Sequence, residues 1–112
     1  MAKFIDIISP IYQKLLKDCE RRKISINLDI ENPTIKITNE QQLLDFYTTE
    51  LKRAIKNCDT GGKITLSQTN DRISIRYTSG KLLEPDLVEQ LRSKGYQVRA
   101  RFGYDTIISL IF

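Results

Sequence analysis

The stretch that decides the fold reads Glu50-Leu51-Lys52-Arg53-Ala54-Ile55-Lys56 and, after a break of four residues, Gly61-Gly62-Lys63-Ile64-Thr65-Leu66. Its first part has apolar residues at positions 51, 54 and 55, which is the spacing of one face of a helix. Its second part alternates polar and apolar side chains, as a strand with one buried face does. The two glycines interrupt both patterns, so the stretch predicts a helix, a tight turn and a strand.

The same patterns extend in both directions from this stretch. The helix is expected to run from Glu40 to Lys56, with Thr38 or Asn39 as its N-cap. The strand is expected over 63–68 and to pair with a second strand over 72–78, because turn residues lie between two alternating runs. This part of the chain therefore predicts a helix followed by an antiparallel hairpin.

The remaining elements follow from periodicity and turn residues. An opening helix is expected over 4–22, capped by Asp6 or Ser9 and with Pro10 in its first turn. The other predicted elements are strands over 24–30 and 34–37, a helix from Glu84 or Pro85 to Lys94 that Gly95 ends, and a hairpin of 96–102 with 105–112 around Gly103-Tyr104.

This order of elements predicts an α/β fold, a two-layer sandwich in which about three helices pack on one face of a mixed β-sheet. The sequence has no linker, repeat or low-complexity tract, so residues 1–112 are expected to form a single domain. No apolar run approaches the ~20 residues of a membrane helix, and no N-terminal stretch reads as a signal peptide. A cytoplasmic location without membrane association is therefore expected.

Composition excludes several kinds of chemistry. The chain has no histidine, so it can hold neither a Ser-His-Asp triad nor a histidine-ligated metal nor a phosphohistidine. Eighteen Lys and Arg against 14 Asp and Glu give a net charge of +4, well short of a dedicated nucleic-acid binder. Cys19 and Cys58 have no CxxC pairing and are expected to be reduced, packed side chains.

Three segments together resemble a known family. Asn39-Glu40-Gln41-Gln42-Leu43, the helix over 50–56 and the Gly-Gly strand over 61–66 are similar to the ATP-binding domain of sensor histidine kinases, in the GHKL superfamily. The resemblance covers nearly the whole chain. It implies a helix with an N-A-x-K motif whose Asn coordinates magnesium, then a Gly-Gly turn, then a hairpin. It also implies a D-x-G-x-G loop that binds adenine, and a glycine-rich lid over ATP.

The chain departs from this family at the nucleotide motifs. The magnesium-binding Asn falls on Arg53, and a guanidinium has no lone pair to offer a metal. The adenine-binding Asp aligns with Thr78, and the glycines of its loop align with Gly80 and Leu82. The lid is missing before Gly95, so the domain is shortened as well as degenerate. In gyrase-like members a Glu four residues before the Asn is the general base, and that position is a threonine here.

These departures define candidate remnants of an anion or nucleotide site, with no catalytic and no metal-binding residue among them. Arg53 is open to two interpretations: a fixed cation that replaces the metal beside a phosphate, or an arginine that pairs with Glu50 or Asn57, which we favour. The loop at Gly80 is either an anion cradle or an ordinary strand-to-helix connection, and we favour the ordinary connection. The candidates are Arg53, Lys56, Lys63, Thr78 and Gly80.

The resemblance and the departures together predict a non-catalytic domain. It is expected to act as a protein-interaction module in two-component signalling, with a response regulator or a kinase as partner and no cofactor. One alternative is an active catalytic domain that uses ATP and magnesium on a separate phosphoacceptor. Another is nucleic-acid binding through the basic C-terminal hairpin that carries Arg99 and Arg101, which the alternation of that strand explains equally well as a half-exposed face.

Overall fold

A computed structural model describes residues 2–81, 83–101 and 105–111. Within these ranges the chain forms three helices and seven strands. In chain order they are β1 (Ala2–Lys3), α1 (Phe4–Arg21), β2 (Ser25–Ile30), β3 (Lys36–Ile37), α2 (Glu40–Asn57), β4 (Lys63–Gln68), β5 (Arg72–Thr78), α3 (Pro85–Ser93), β6 (Gln97–Ala100) and β7 (Asp105–Ile111).

Five of the strands form the main sheet, in the order β2-β4-β5-β7-β6. β2 pairs with β4 in parallel and the other neighbours are antiparallel, so the sheet is mixed. A parallel pair needs a crossover connection, and α2 lies in the segment between the two strands. The three helices pack against this sheet, which confirms the predicted two-layer α/β architecture.

The predicted strand over 34–37 is shortened to β3, which pairs with β1 in a separate two-stranded sheet and not with the main sheet. The turn of the last hairpin, predicted at Gly103-Tyr104, lies outside the described residues.

The core lies between the helices and one face of the main sheet. Ile64 and Leu66 of β4 stand opposite Tyr77 and Ile75 of β5, and all four side chains are buried. Ile73 of β5 is buried in the same layer, as the alternation predicts. From the helical layer, α2 contributes buried side chains that its 3.6-residue period brings to one face. They are Leu43, Phe46, Tyr47, Glu50, Leu51, Ala54 and Ile55.

The other face of the main sheet, here called the outer face, carries polar side chains. Its centre consists of Ser67, Ser74 and Ser109, which the strand register places in one row. The hydroxyl oxygens of Ser74 and Ser109 are 2.7 Å apart and share a hydrogen bond. This polar character is what one solvated face of a sheet requires.

α1 begins at Phe4 as predicted, but its capping differs from the prediction. Asp6 and Ser9 lie inside the helix, and no side chain caps its first turn. The N–H of Phe4, at the first position of the helix, donates instead to the carbonyl of Ile35 at 2.8 Å. Pro10 is therefore an interior residue of α1 and not part of its first turn. A backbone carbonyl about thirty positions away thus satisfies an N–H of the first turn that the sequence predicted a local side chain would bind.

Two other helix ends follow the sequence. Asn39 caps α2, and its side chain accepts a hydrogen bond from the N–H of Gln42 at 3.1 Å. After α3, Gly95 has a φ of +83°, and the N–H of Tyr96 donates to the carbonyl of Leu91 at 3.1 Å. This is a Schellman ending, whose left-handed residue favours glycine.

Two further findings concern the cysteines and the lengths of the helices. Cys19 and Cys58 are buried free thiols, and burial raises the pKa of each. Over the described ranges, none of the helices is long and apolar enough to cross a membrane.

Candidate functional site

Arg53, at the position where the family resemblance expects the magnesium ligand, forms an ion pair inside its own helix. Its guanidinium contacts the carboxylate of Glu50, one turn earlier on α2. Glu50 is completely buried and the Arg53 side chain is 22% exposed. Arg53 therefore pairs with Glu50, which is one of the two interpretations that the sequence left open for this residue.

The surroundings of this ion pair are closed and weakly polar. Burial raises the pKa of Glu50, and the neighbouring Arg53 guanidinium only partly opposes this effect. Burial also raises the pKa of Tyr77, although Asn57 lies near enough to lower it slightly. The Tyr77 hydroxyl has no hydrogen bond of normal geometry among the described residues. A ligand phosphate would therefore have to displace a carboxylate that the fold holds in place.

Sequence reasoning missed the burial of Glu50. Its place on the helix was visible, since it lies three and four positions from Tyr47, Phe46 and Ala54, all on the apolar face of α2. A carboxylate in that stripe needs a cation nearby, and Arg53 is the cation one turn away.

The loop after α2 is tied to the loop after β5. The N–H of Asp59 donates to the carbonyl of Thr78 at 3.1 Å, and the Asp59 carboxylate accepts from the N–H of Gly80 at 3.0 Å. The backbone N–H that a phosphate cradle would need at Gly80 therefore already has an anionic partner. Gly62 is also required here, because a Cβ at that position would lie 2.8 Å from the Asp59 carbonyl oxygen and 2.9 Å from the Cys58 sulfur.

The five candidate residues do not converge on one site. Lys63 and Thr78 are near each other at the ends of β4 and β5 and line one open pocket of about 270 Å³. Lys56 lines a different groove, between α1 and α2. Arg53 is held by Glu50 as described.

Another opening lies between the end of α2, the loop after β5 and α3. It is a pocket of about 200 Å³, below the roughly 300–1,000 Å³ of typical small-molecule sites. Across residues 2–81, 83–101 and 105–111, no group of three or more Cys, Asp or Glu side chains is arranged to hold a metal ion. Leu82, one of the substituted loop positions, lies outside the described residues.

A larger groove lies at the β6 side of the sheet, and we call it the arginine groove. Its volume is about 700 Å³. The sequence singled out Arg99 and Arg101 but missed Arg76 and Arg92, because these come from other elements. The cross-strand register could have revealed Arg76, since both it and Arg99 pair with Ile107 of β7. The groove is lined by Arg76, Arg92, Val98, Arg99, Ala100, Arg101, Asp105 and Ile107.

Comparison with solved structures identifies the architecture. No family model and no curated protein sequence matches this chain. Solved structures do, and they show that the chain has the fold of the catalytic, ATP-binding domain of histidine kinases, a GHKL-type fold.

Three of these structures illustrate the match. The nucleotide-free catalytic domain of the histidine kinase ThkA has a TM-score of 0.73 and 12% identity, over 98% of this chain and 95% of that one. The cytoplasmic segment of the histidine kinase QseC has a TM-score of 0.67 and 16% identity, over 98% of this chain and 76% of that one. ThkA in complex with the response regulator TrrA matches with a TM-score of 0.68 and 13% identity, over 97% and 40% of the two chains. At these identities the likeness establishes the fold.

Proposed function

We propose that this chain is a non-catalytic, histidine-kinase-like domain that acts as a protein-interaction module in two-component signalling. The observation that carries the proposal is the ion pair between Arg53 and buried Glu50, at the position where the family resemblance expects the magnesium ligand. Magnesium requires oxygen ligands in near-octahedral geometry, and a guanidinium supplies none. In the same pair, the Glu50 carboxylate neutralises the positive charge that Arg53 could otherwise offer to a nucleotide phosphate.

Two further observations support the loss of nucleotide binding. The Gly80 amide is bound to the Asp59 carboxylate, so this loop has an internal anion in place of a phosphate. The pocket beside α3 has a volume of about 200 Å³, and its lining contains one cation, Lys81, and one carboxylate, Glu84, so it has no excess of positive charge for a phosphate. No cofactor is therefore expected.

The proposed partner is a protein, either a response regulator or a kinase. The histidine kinase ThkA, whose fold this chain shares, has been crystallised in complex with the response regulator TrrA, and we propose a partner of that class. A cytoplasmic location goes with this proposal, since the matching part of QseC belongs to a cytoplasmic segment.

Isothermal titration calorimetry with ATP and magnesium tests the loss of nucleotide binding. We expect no saturable heat from the folded chain, and micromolar binding would refute the proposal. Circular dichroism on the same sample shows that the protein is folded.

A matched variant makes the negative result informative. Glu50→Leu with Arg53→Asn and Thr78→Asp returns the family's residue types at two motif positions and removes the carboxylate that would otherwise be left unpaired. If this variant gains binding while the unchanged chain has none, the substitutions are the cause of the loss. Glu50→Leu with Arg53→Leu is the control, because it removes the ion pair without supplying a metal ligand.

A further inference from the structure

The arginine groove is strongly and asymmetrically charged. It contains four arginines and one aspartate, so its lining carries a net charge of three positive units. Asp105 is occupied by Arg76, with which it forms an exposed ion pair. Within residues 2–81, 83–101 and 105–111, Arg92 and Arg99 form no ion pair. The groove therefore has cations in excess of what its own carboxylate neutralises, and it complements a polyanion.

The strand along this groove has an open backbone edge. β6 is the last strand in the order of the main sheet, and its one paired neighbour there is β7. The N–H of Arg101 donates to the carbonyl of Asp105 at 3.2 Å. Backbone groups alternate in direction along an antiparallel strand, so those of Val98 and Ala100 point away from β7. Two N–H groups and two carbonyls are thus aligned at an exposed edge, where another strand can pair.

The side chains between the arginines favour an extended peptide over a nucleic acid. Along β6, Val98 and Ala100 lie on the face of the sheet that carries Ile108 and Thr106, and Arg99 lies on the opposite face beside Ile107. A strand added beside β6 would therefore meet apolar side chains on one face and cations on the other, which suits a segment that alternates acidic and apolar residues. Single-stranded nucleic acid is usually bound by exposed aromatic side chains on which bases stack. No aromatic residue is among the described residues that line this groove.

The other edge of the sheet provides a comparison within the molecule. β2 is also unpaired on one side, and its residues Ser25–Ile30 include no Lys or Arg and one acidic side chain, Asp29. Its exposed apolar residue, Leu28, is 43% exposed. Edge pairing alone would not distinguish these two strands, whereas an acidic partner would select β6.

We infer that the arginine groove docks an extended acidic segment of a protein partner, which pairs with the outer edge of β6 and places carboxylates against Arg92 and Arg99. Each guanidinium matches a carboxylate with two parallel hydrogen bonds, and the strand pairing fixes which side chains meet. The inference rests on the proposed function in one respect, namely that the partner is a protein.

A peptide titration tests the charge part of this inference. The probe is a short fluorescein-labelled peptide in which glutamate and valine alternate, followed by fluorescence anisotropy with the full chain. The groove variant is Arg92→Glu with Arg99→Glu. The matched control is Lys14→Glu with Lys17→Glu, which makes the same change in net charge at exposed positions of α1. We expect the groove variant to bind about tenfold more weakly or worse and the control to change by no more than about threefold.

A backbone variant tests the strand pairing. Ala100→Pro removes an N–H that points away from β7, so the hydrogen bonds between β6 and β7 are kept. Ala100→Ser is its control, since it keeps the N–H. We expect the proline variant to bind the peptide several-fold more weakly than the serine variant, with both as folded as the unchanged chain by circular dichroism. Amide NMR shifts on addition of the peptide should be concentrated over 97–101.

Several outcomes would overturn the inference. They are an undetectable interaction with the glutamate peptide, equal losses in the groove and control variants, no effect of Ala100→Pro, or tighter binding of oligothymidylate than of the peptide with the same dependence on Arg92 and Arg99. The last result would assign the groove to a nucleic acid. Calorimetry with ATP is independent of all of these, because nucleotide binding would refute the proposed function and leave the peptide result unchanged.

Discussion

Arg53 and Arg99 are both arginines on regular elements, but the fold uses them in opposite ways. Arg53 on α2 is mostly covered, and its guanidinium is paired with the completely buried Glu50. Arg99 on β6 is exposed at the rim of a groove with an excess of positive charge. A cation that the fold neutralises internally contributes to stability, whereas a cation left in an open groove is available to a partner. The same residue type in these two surroundings therefore predicts different consequences of mutation.

The largest effect is expected when Arg53 is removed alone. Arg53→Met leaves the Glu50 carboxylate buried without its partner, which costs about 3 kcal/mol of the free energy of unfolding. Urea denaturation measures this as a lower midpoint at an unchanged m-value.

The double variant sharpens the same comparison. Glu50→Leu with Arg53→Met removes both charges, so its stability should equal or exceed that of the unchanged chain. If Arg53→Met is as stable as the unchanged chain, the ion pair does not hold the structure and the contrast with Arg99 is lost.

A second internally bonded arginine should give the next largest effect. The Arg22 guanidinium donates to the carbonyl of Ile55 and, at 2.8 Å, to that of Cys58, and so caps the C-terminal end of α2. Arg22→Met should destabilise the chain by about 2 kcal/mol, because hydrogen bonds that involve a charged group are the stronger kind. Arg21→Met is the control, since Arg21 is exposed and forms a surface ion pair with Asp18. Equal denaturation midpoints for the two variants would contradict this prediction.

The ion pair on α2 should also make stability depend on pH. Burial raises the pKa of Glu50 in the folded state above its ordinary value of 4.5, so over the range between the two values the folded chain binds more protons than the unfolded chain. Stability from this group is therefore fully present below pH 4.5 and is lost as the pH rises through the folded pKa.

Urea midpoints as a function of pH measure this effect. The unchanged chain should lose stability relative to Glu50→Gln as the pH rises above 4.5, because glutamine has no proton to release. The subtraction removes the contributions of all other titrating groups. A difference that is constant with pH would show that burial does not govern the titration of this carboxyl.

The smallest effect is expected on the outer face. Arg76 and Asp105 form an ion pair with side chains 55% and 40% exposed, and exposed pairs contribute about 0–1 kcal/mol. Arg76→Ala should therefore change the urea midpoint very little, and added salt should reduce even this difference. A loss comparable to that of Arg53→Met would show that the two regions do not differ in the way proposed.

Local signals account for the parts of the fold that the sequence predicted. The hairpin of β4 and β5 follows from alternation around a short turn, and the ends of α2 and α3 follow from Asn39 and Gly95. The capping of α1 could not be predicted, because the N–H groups of its first residues bond to carbonyls of the 33–35 segment and no local pattern reports such a partner.

The candidate site was predictable only in part for the same reason. The departures from the family pattern at Arg53 and Thr78 could be recognised in the sequence, because each residue occupies a fixed position in a motif. Only part of the arginine groove could be predicted from the sequence. Arg92 and Arg99 lie on different elements, which meet when α3 packs against β6. Residues that a fold brings together from distant positions leave no pattern within any one stretch of sequence.

The parallel pairing of β2 with β4 has a consequence for the order in which the molecule assembles. Ile26 of β2 stands beside Ile64 of β4, with all of α2 between them in the chain, whereas β4 with β5 and β6 with β7 are adjacent hairpins. Closing a long loop costs conformational entropy before the contacts that it brings together can form, so this step is slow. The hairpins are therefore expected to form first. β2 comes before the other strands of the main sheet along the chain, and it is thus expected to be the last of them to find its partner.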